Sequence, residues 1–184
     1  MGATDLSKFN NSWYQVGASY PKQLIWYFVN VLFFKSSFNP FSSLKVALLR
    51  AFGAKVGRGV VIKPSVNIKY PWKLSIGDYS WIGEEVWIDN LDQVKIGANC
   101  CISQGALLLC GSHNYRESAF GLKIKPITLE DGVWIGAKSV VLQGVTCRSH
   151  SILSAYSLAA KELEAYTIYR GNPALKTQIR EIVS

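Results

Sequence analysis

A six-residue rhythm runs through the 184-residue chain and restricts it more than any other feature. Apolar residues open successive hexads at Val56, Ile62 and Ile68, at Ile76, Ile82 and Ile88, and at Ile96, Ile102 and Leu108. After an interruption the rhythm resumes at Leu129, Ile135 and Val141, then at Cys147, Leu153 and Ala159. Of these 15 residues 13 are Val, Ile or Leu, and 12 of the 15 residues in the fifth place of each hexad are Ser, Ala, Cys or Val. Gly follows the opening residue at 57, 77, 83, 97 and 136. Short antiparallel strands joined by regular turns also produce six-residue spacing. They do not hold one phase over so long a stretch.

The physical reading is an all-β repeat, a parallel β-helix in which each hexad makes one short face of a three-sided coil. The large apolar residue fills the core, the small one fits a tight corner, and Gly or polar residues turn outward. Three hexads make one coil. Starts at 56, 76, 96, 129 and 147 predict about five coils of about 20, 20, 33, 18 and 18 residues. The two-residue excesses fall at Leu74–Ser75 and Val94–Lys95, the same place in consecutive coils, which separate hairpins would not reproduce.

The long coil carries an insertion at 113–125 (HNYRESAFGLKIK) that must leave the prism as a loop. In repeat proteins such insertions project from one face and often build a binding site. Ahead of the repeat, Pro21–Phe34 and Leu44–Phe52 read as two helices separated by Asn39–Pro40, with Gly53 as a stop. Both are apolar around much of their circumference. They are expected to cap an open end of the prism, with a peripheral membrane contact as the second reading. Pro173 followed by Ala174–Val183 predicts a short terminal helix. The expected organisation is a helical cap over 1–54, the β-helix over 55–169 and a tail over 170–184.

Hydrophobic residues make up 49% of the chain and charged ones 17%, enough to bury a core and too apolar for disorder. The formal net charge of +8 suits an anionic partner: nucleic acid, an acidic lipid surface or a phosphorylated cofactor. No nucleic-acid module is present and the charges form no stripe. Cysteines at 100, 101, 110 and 147 include no C-x-x-C pair, so reduced thiols in a cytoplasmic protein are expected, with no metal site. The longest apolar run, Leu24–Phe34, has 11 residues and falls short of a membrane span, which takes about 20.

The hexads, together with GSHNY (111–115), DGVWIGAKSVVLQGVT (131–146) and RGNPA (170–174), resemble the left-handed β-helix (hexapeptide-repeat) acyltransferases. Within that group, residues 48–88 and 101–115 are similar to the colanic-acid-type (WcaF-like) O-acetyltransferases of polysaccharide biosynthesis. The similarity covers residues 24–180, nearly the whole chain. It implies the left-handed coil, which strand-crossover physics alone would not favour. It also implies a homotrimer with sites between neighbouring prisms, acetyl-CoA as donor and a small-molecule sugar as acceptor.

Acyl transfer to a hydroxyl needs a base, and histidine suits that task near neutral pH. His113 stands where the coil gives way to the loop, and the resemblance assigns it the general-base role. His150, in the fourth place of its hexad, reads as a solvated corner. The resemblance also sets Ala137 and Ala155 beside the pantetheine arm, and Ala160 and Lys161 at the adenosine end of the donor. It sets Trp134 at the border of the acceptor pocket. Glu85, Asp89 and Asn90, one coil before His113, are candidate sugar contacts or plain corner residues. Trp72, Trp81 and Trp87 are assigned to packing or a subunit interface. Two departures from the family pattern bear on the donor. Tyr156 stands where glycine is usual, and Leu175 where a relative has arginine, leaving Arg170 or Lys176 to serve. Alternatives are N-acetylation of an amino sugar or xenobiotic, and a noncatalytic scaffold. A zinc carbonic anhydrase on this architecture needs three imidazoles, and the chain has two histidines.

Overall fold

The computed structural model describes residues 2–183. Three parallel sheets form the faces of a prism, and strands of two or three residues climb each face one coil at a time. On the first face Val56, Ile76, Ile96, Leu129 and Cys147 stack in register. On the second the column is Ile62, Ile82, Ile102, Ile135 and Leu153. On the third it is Ile68, Ile88, Leu108, Val141 and Ala159. All 15 hexad openings therefore occupy the expected positions, and every one except Val56 is buried. Each buried aliphatic side chain contributes about 1.5–3 kcal/mol, so the columns supply the main driving force.

The corners explain the rest of the hexad. The fourth residue adopts positive φ at Gly59, Ser65, Tyr79, Glu85, Asn99, Gly105, Gly132, Lys138, Gly144, His150 and Tyr156. This left-handed residue turns the chain from one face to the next, and most of those positions carry a side chain despite the strain. The small fifth residue does more than fit. Ser80 Oγ donates to Gly97 O at 2.7 Å and accepts from Cys100 N at 3.0 Å, and Ser139 does the same with Ser154 O and Ser157 N. The glycine in second place is forced by the coil above. A Cβ on Gly77 would lie 2.5 Å from Ala98 N and 2.6 Å from the Gly97 carbonyl carbon.

The coils number about six rather than five. Leu163 bridges to Cys147, Tyr169 pairs with Leu153, and Ala174 N donates to Leu158 O at 2.8 Å, which completes a further turn. The step from Ala159 to Leu163 is two residues short of a hexad, and that phase slip hides the last turn from a fixed period.

The four hexads whose fourth residue does not turn left-handed, opening at Ile68, Ile88, Leu108 and Ala159, all end the third face, at the edge leading to the first. There the chain makes a short 3-10 turn at Pro71–Lys73, then a bend after Asn90, then the long insertion. The insertion is an antiparallel hairpin, Gly111–His113 against Leu122–Ile124. Residues 5–16 run along this same edge as an arm that includes a 3-10 turn at Leu6–Lys8. Tyr14 Oη donates to Leu91 O at 2.8 Å, Trp72 Nε1 to Val16 O at 2.8 Å, and Asp5 N to Ser118 O at 2.8 Å.

Helix α1 (Tyr20–Val29) continues through a π turn to Phe34 and buries Trp26, Asn30 and Phe34 against the first coil. Helix α2 (Ser42–Ala51) closes the base, with Lys45 Nζ donating to Lys63 O at 2.9 Å. The two helices and the cap they form agree with expectation. The terminal helix does not exist. Residues Leu175–Ile179 form a strand antiparallel to Thr167–Arg170, after a reverse turn at Gly171–Pro173. Pro173 belongs to that turn rather than to a helix start. The unpaired edge of the last coil offers backbone partners, and they outweigh local propensity.

Replacing Gly77 by alanine is expected to destabilise the fold by about 1–3 kcal/mol. Thermal unfolding followed by circular dichroism measures it, with exposed Lys95→Ala as the comparison that leaves the midpoint unchanged.

Candidate active site

His113 ends the first strand of the hairpin, and its ring is fixed from two sides. Nδ1 lies 2.9 Å from the carbonyl oxygen of Phe120, and the Phe120 ring stacks on the imidazole with centroids 4.4 Å apart and planes 10° apart. A carbonyl only accepts, so Nδ1 carries a proton, and in the neutral ring the lone pair lies on Nε2. Nε2 makes no hydrogen bond to any described residue, and the side chain is half-buried. The hairpin is built for this contact: Phe120 takes a positive φ of 51°, which turns its carbonyl back toward His113. The imidazole is thus held in one orientation.

The N-terminal arm reaches the same place. Phe9 packs on the imidazole at 5.8 Å between centroids. Between arm and hairpin lies a cavity of about 340 Å³ bordered by Lys8, Asn10, Trp13, Asn114, Glu117 and Lys123. One exposed tryptophan amid amide, ammonium and carboxylate groups is a surface chemistry suited to a polyol ring. Sequence reasoning missed the arm because it carries no repeat and makes its contacts 56–113 residues away along the chain. The cluster of aromatic and amide residues over Phe9–Tyr14 (FNNSWY) was the available signal.

The remaining candidates divide between two edges of the prism. Ala137 and Ala155 stack at the edge between the second and third faces, where Tyr156 N donates to Ala137 O at 2.9 Å. They border a groove of about 450 Å³ that also includes Trp134, Ile168, Arg170 and Gln178. Trp134 stands outward on the second face with its Nε1 donating to Ser103 Oγ at 2.9 Å. Glu85 lies on this same edge, two coils lower, and its positive φ of 59° makes it a turn former. Its place is therefore away from His113. Ala160 and Lys161 are exposed at the opposite edge, the one that carries His113. A single chain separates these two groups by the whole third face.

Asp89 and Asn90 do lie one coil below His113, but both are engaged. Asp89 is ion-paired with Lys69 at 2.8 Å and borders a cleft under α1. Asn90 is fully buried, accepts from Tyr70 N at 2.9 Å and donates to Tyr70 O at 2.6 Å. It clasps two successive corners, and neither amide atom is left for a ligand. His150 packs against Tyr166, with ring centroids 4.8 Å apart, rather than standing free in solvent. Tyr156 is 72% exposed and does not border the groove, so the departure from glycine leaves the groove open in one chain. Of the two substitutes for the arginine missing at Leu175, Lys176 is held by Glu164, whereas Arg170 borders the groove.

All four cysteines are free thiols. Burial pushes the Cys100 thiol up to about 11 and the Cys110 thiol to about 12, so neither is a nucleophile near neutral pH. Among the described residues no group of three His, Cys, Asp or Glu side chains forms a metal-binding cluster.

No family model matches the chain. It is 38% identical to a protein of Escherichia coli K12 named as a colanic acid biosynthesis acetyltransferase, WcaF, over 171 residues. That match covers 93% of this chain and 94% of the relative. The chain belongs to the WcaF family of hexapeptide-repeat acetyltransferases. A wider likeness extends to the galactoside O-acetyltransferase of E. coli K12, 28% identical over 74% of this chain and 68% of that one. In structure, the hexapeptide-repeat acetyltransferase VCA0836 of Vibrio cholerae, complexed with acetyl-CoA, superposes with a TM-score of 0.79. It is 24% identical and the match covers 90% of this chain and 92% of that one. The left-handed β-helix and the acetyltransferase class are those of this family.

The two engaged carboxylate and amide groups make a distinguishing case. Asn90→Ala leaves the Tyr70 backbone groups unpaired and is expected to cost about 1–3 kcal/mol of stability. It shows as a lowered unfolding midpoint, with KM for a sugar acceptor unchanged in the folded fraction.

Proposed function

We propose that the protein transfers an acetyl group from acetyl-CoA to a hydroxyl of a sugar in polysaccharide biosynthesis, with His113 as general base. The observation that carries the reading is the imidazole held through Nδ1 with Nε2 free. Nε2 removes the acceptor hydroxyl proton as the oxygen attacks the thioester carbonyl. A backbone amide stabilises the oxyanion. The intermediate then collapses, the carbon–sulfur bond breaks, and the departing thiolate of CoA takes the proton from the imidazolium. No acyl-enzyme is formed.

In this reading the donor lies in the groove beside Ala137 and Ala155. Arg170 and Lys161 supply positive charge to its phosphates, and Trp134 borders the reacting centre. The reacting hydroxyl meets Nε2, and the cavity between arm and hairpin, whose lining omits His113, holds a more distant part of the acceptor against Trp13. Because the groove and His113 sit on different edges, the site closes when the groove edge of one chain meets the hairpin edge of a second. A homotrimer with three such clefts satisfies this, as closed cyclic symmetry requires.

His113→Ala is expected to lower kcat by about 10²–10⁴ with acetyl-CoA and oligosaccharide acceptors, leaving CoA affinity unchanged in calorimetry. An unaltered kcat removes His113 from the chemistry. The two-edge arrangement has its own test. His113→Ala chains and Ala155→Trp chains are each inactive alone, and mixed oligomers of the two regain activity, because some clefts then pair an intact base with an intact groove. Mixtures that stay inactive contradict a shared site.

A further inference from the structure

The side of α1 that faces away from the prism is as apolar as the side that packs on it. Trp26, Asn30 and Phe34 face inward, while Leu24, Ile25, Tyr27, Phe28, Val31 and Leu32 are all exposed, Phe28 by 55% and Leu32 by 62%. The connection to α2 adds Phe38, 94% exposed, and Phe41, 66% exposed. Ordinary surface helices are apolar on one stripe only. A contiguous apolar surface of this kind marks an interaction site.

The charge of the same region says what meets it. Residues 6–77 contain ten Lys and Arg and no Asp or Glu, whereas residues 78–184 contain ten basic and 11 acidic residues. The net charge of +8 therefore resides wholly in the helical cap and the first coil, although it forms no stripe. Some of these cations are used internally: Lys45 on Lys63 O, Arg58 on Asp78 and Lys69 on Asp89. Lys35, Lys55 and Lys63 are exposed, and none makes an ion pair among the described residues. Lys35 borders the cleft beside Tyr27 and Val31, at the end of the apolar face.

We infer that this end of the prism docks on the surface of an anionic lipid bilayer. The outer side chains of α1 enter the boundary between headgroups and acyl chains, and Lys35, Lys55 and Lys63 contact lipid phosphates. A helix lying in the plane of the interface needs no spanning length, and none is present among the described residues. The like charge of this end opposes pairing with the same end of a second copy. A nucleic acid has no use for Leu24, Val31 and Leu32. The inference stands on apolar exposure and charge and does not depend on the acetyl-transfer reading.

The test is sedimentation of the full chain with vesicles of phosphatidylcholine alone or mixed with phosphatidylglycerol. Binding to the mixed vesicles, weak binding to pure phosphatidylcholine and release by high salt are expected. Lys35→Gln, Lys55→Gln and Lys63→Gln each lower partitioning about five-fold. Leu24→Ser, Phe28→Ser and Leu32→Ser together lower it at least about ten-fold. All six positions are exposed, so an unchanged unfolding midpoint and unchanged CoA affinity accompany these losses. Absence of binding to anionic vesicles, or binding that survives the triple serine variant, overturns the inference. So does a smaller oligomer in light scattering for that variant with no vesicle binding by the parent, which makes the face a subunit interface.

Discussion

The whole molecule depends on backbone hydrogen bonds made between coils in strict register. Strands of two or three residues, such as Val61–Ile62 and Trp81–Ile82, have no stability of their own. Their N–H and C=O groups are satisfied only by the coils above and below, as where Trp81 N donates to Cys100 O at 2.8 Å. Register in turn depends on one apolar side chain per face reaching the axis. A slip of one residue would turn Ile82 outward and drive Trp81 into a space sized for an aliphatic chain. Growth by addition of identical layers is therefore rigid along the faces. Departures are tolerated at corners alone.

One corner takes all the large departures. Along the edge from the third face to the first, the chain is wider by two residues in the first two coils and by a full hairpin in the third. The earlier widenings are not idle: Asn90 ties one to the other through Tyr70, and Lys73 fixes the N-terminal arm by donating to Gln15 O at 3.0 Å and Leu91 O at 2.7 Å. The hairpin is thereby raised on two braced layers, and the arm is guided up to it. Phe120 and Phe9 then close on His113 from the hairpin and the arm respectively. A flexible loop carrying the same histidine would not fix its tautomer. The brace beneath it does the positioning.

Much of this was legible from periodicity because burial in a β-helix repeats identically with each layer. The 15 hexad openings, the two helices and the projecting insertion follow from a pattern in which one residue type recurs for one physical reason. Legibility ended where that reason changed. Leu163 opens a sixth coil out of phase, since the turn after Ala159 is shorter, and no fixed period reaches it. Asn90 reads the same in sequence whether it faces a ligand or clasps a backbone. Only the coil below, 20 residues earlier, decides between these. Glu85 reads as a sugar contact or a plain corner, His150 as a solvated corner and Tyr156 as a departure from glycine, and each holds the left-handed corner that the next face requires. The C-terminal strand is an effect of an open sheet edge, a tertiary fact with no local sign.

The rigidity that makes the prism readable also limits how it can enclose a substrate. Its faces cannot bend and its corners are braced, so nothing in the repeat closes like a lid. In the proposed transfer, exclusion of water from a thioester beside His113 comes from parts outside the repeat. The arm over residues 5–16 is one such part, held to the body by Tyr14, Val16 and Asp5 and bearing Phe9 on the imidazole itself. In the proposed homotrimer the edge of a second chain is the other, since the groove at Ala137 and Ala155 opens away from the hairpin edge. In that proposed arrangement, apposition of two rigid, differently shaped edges achieves what a hinge achieves in other folds. It places the burden of precision on the subunit contact rather than on any moving segment.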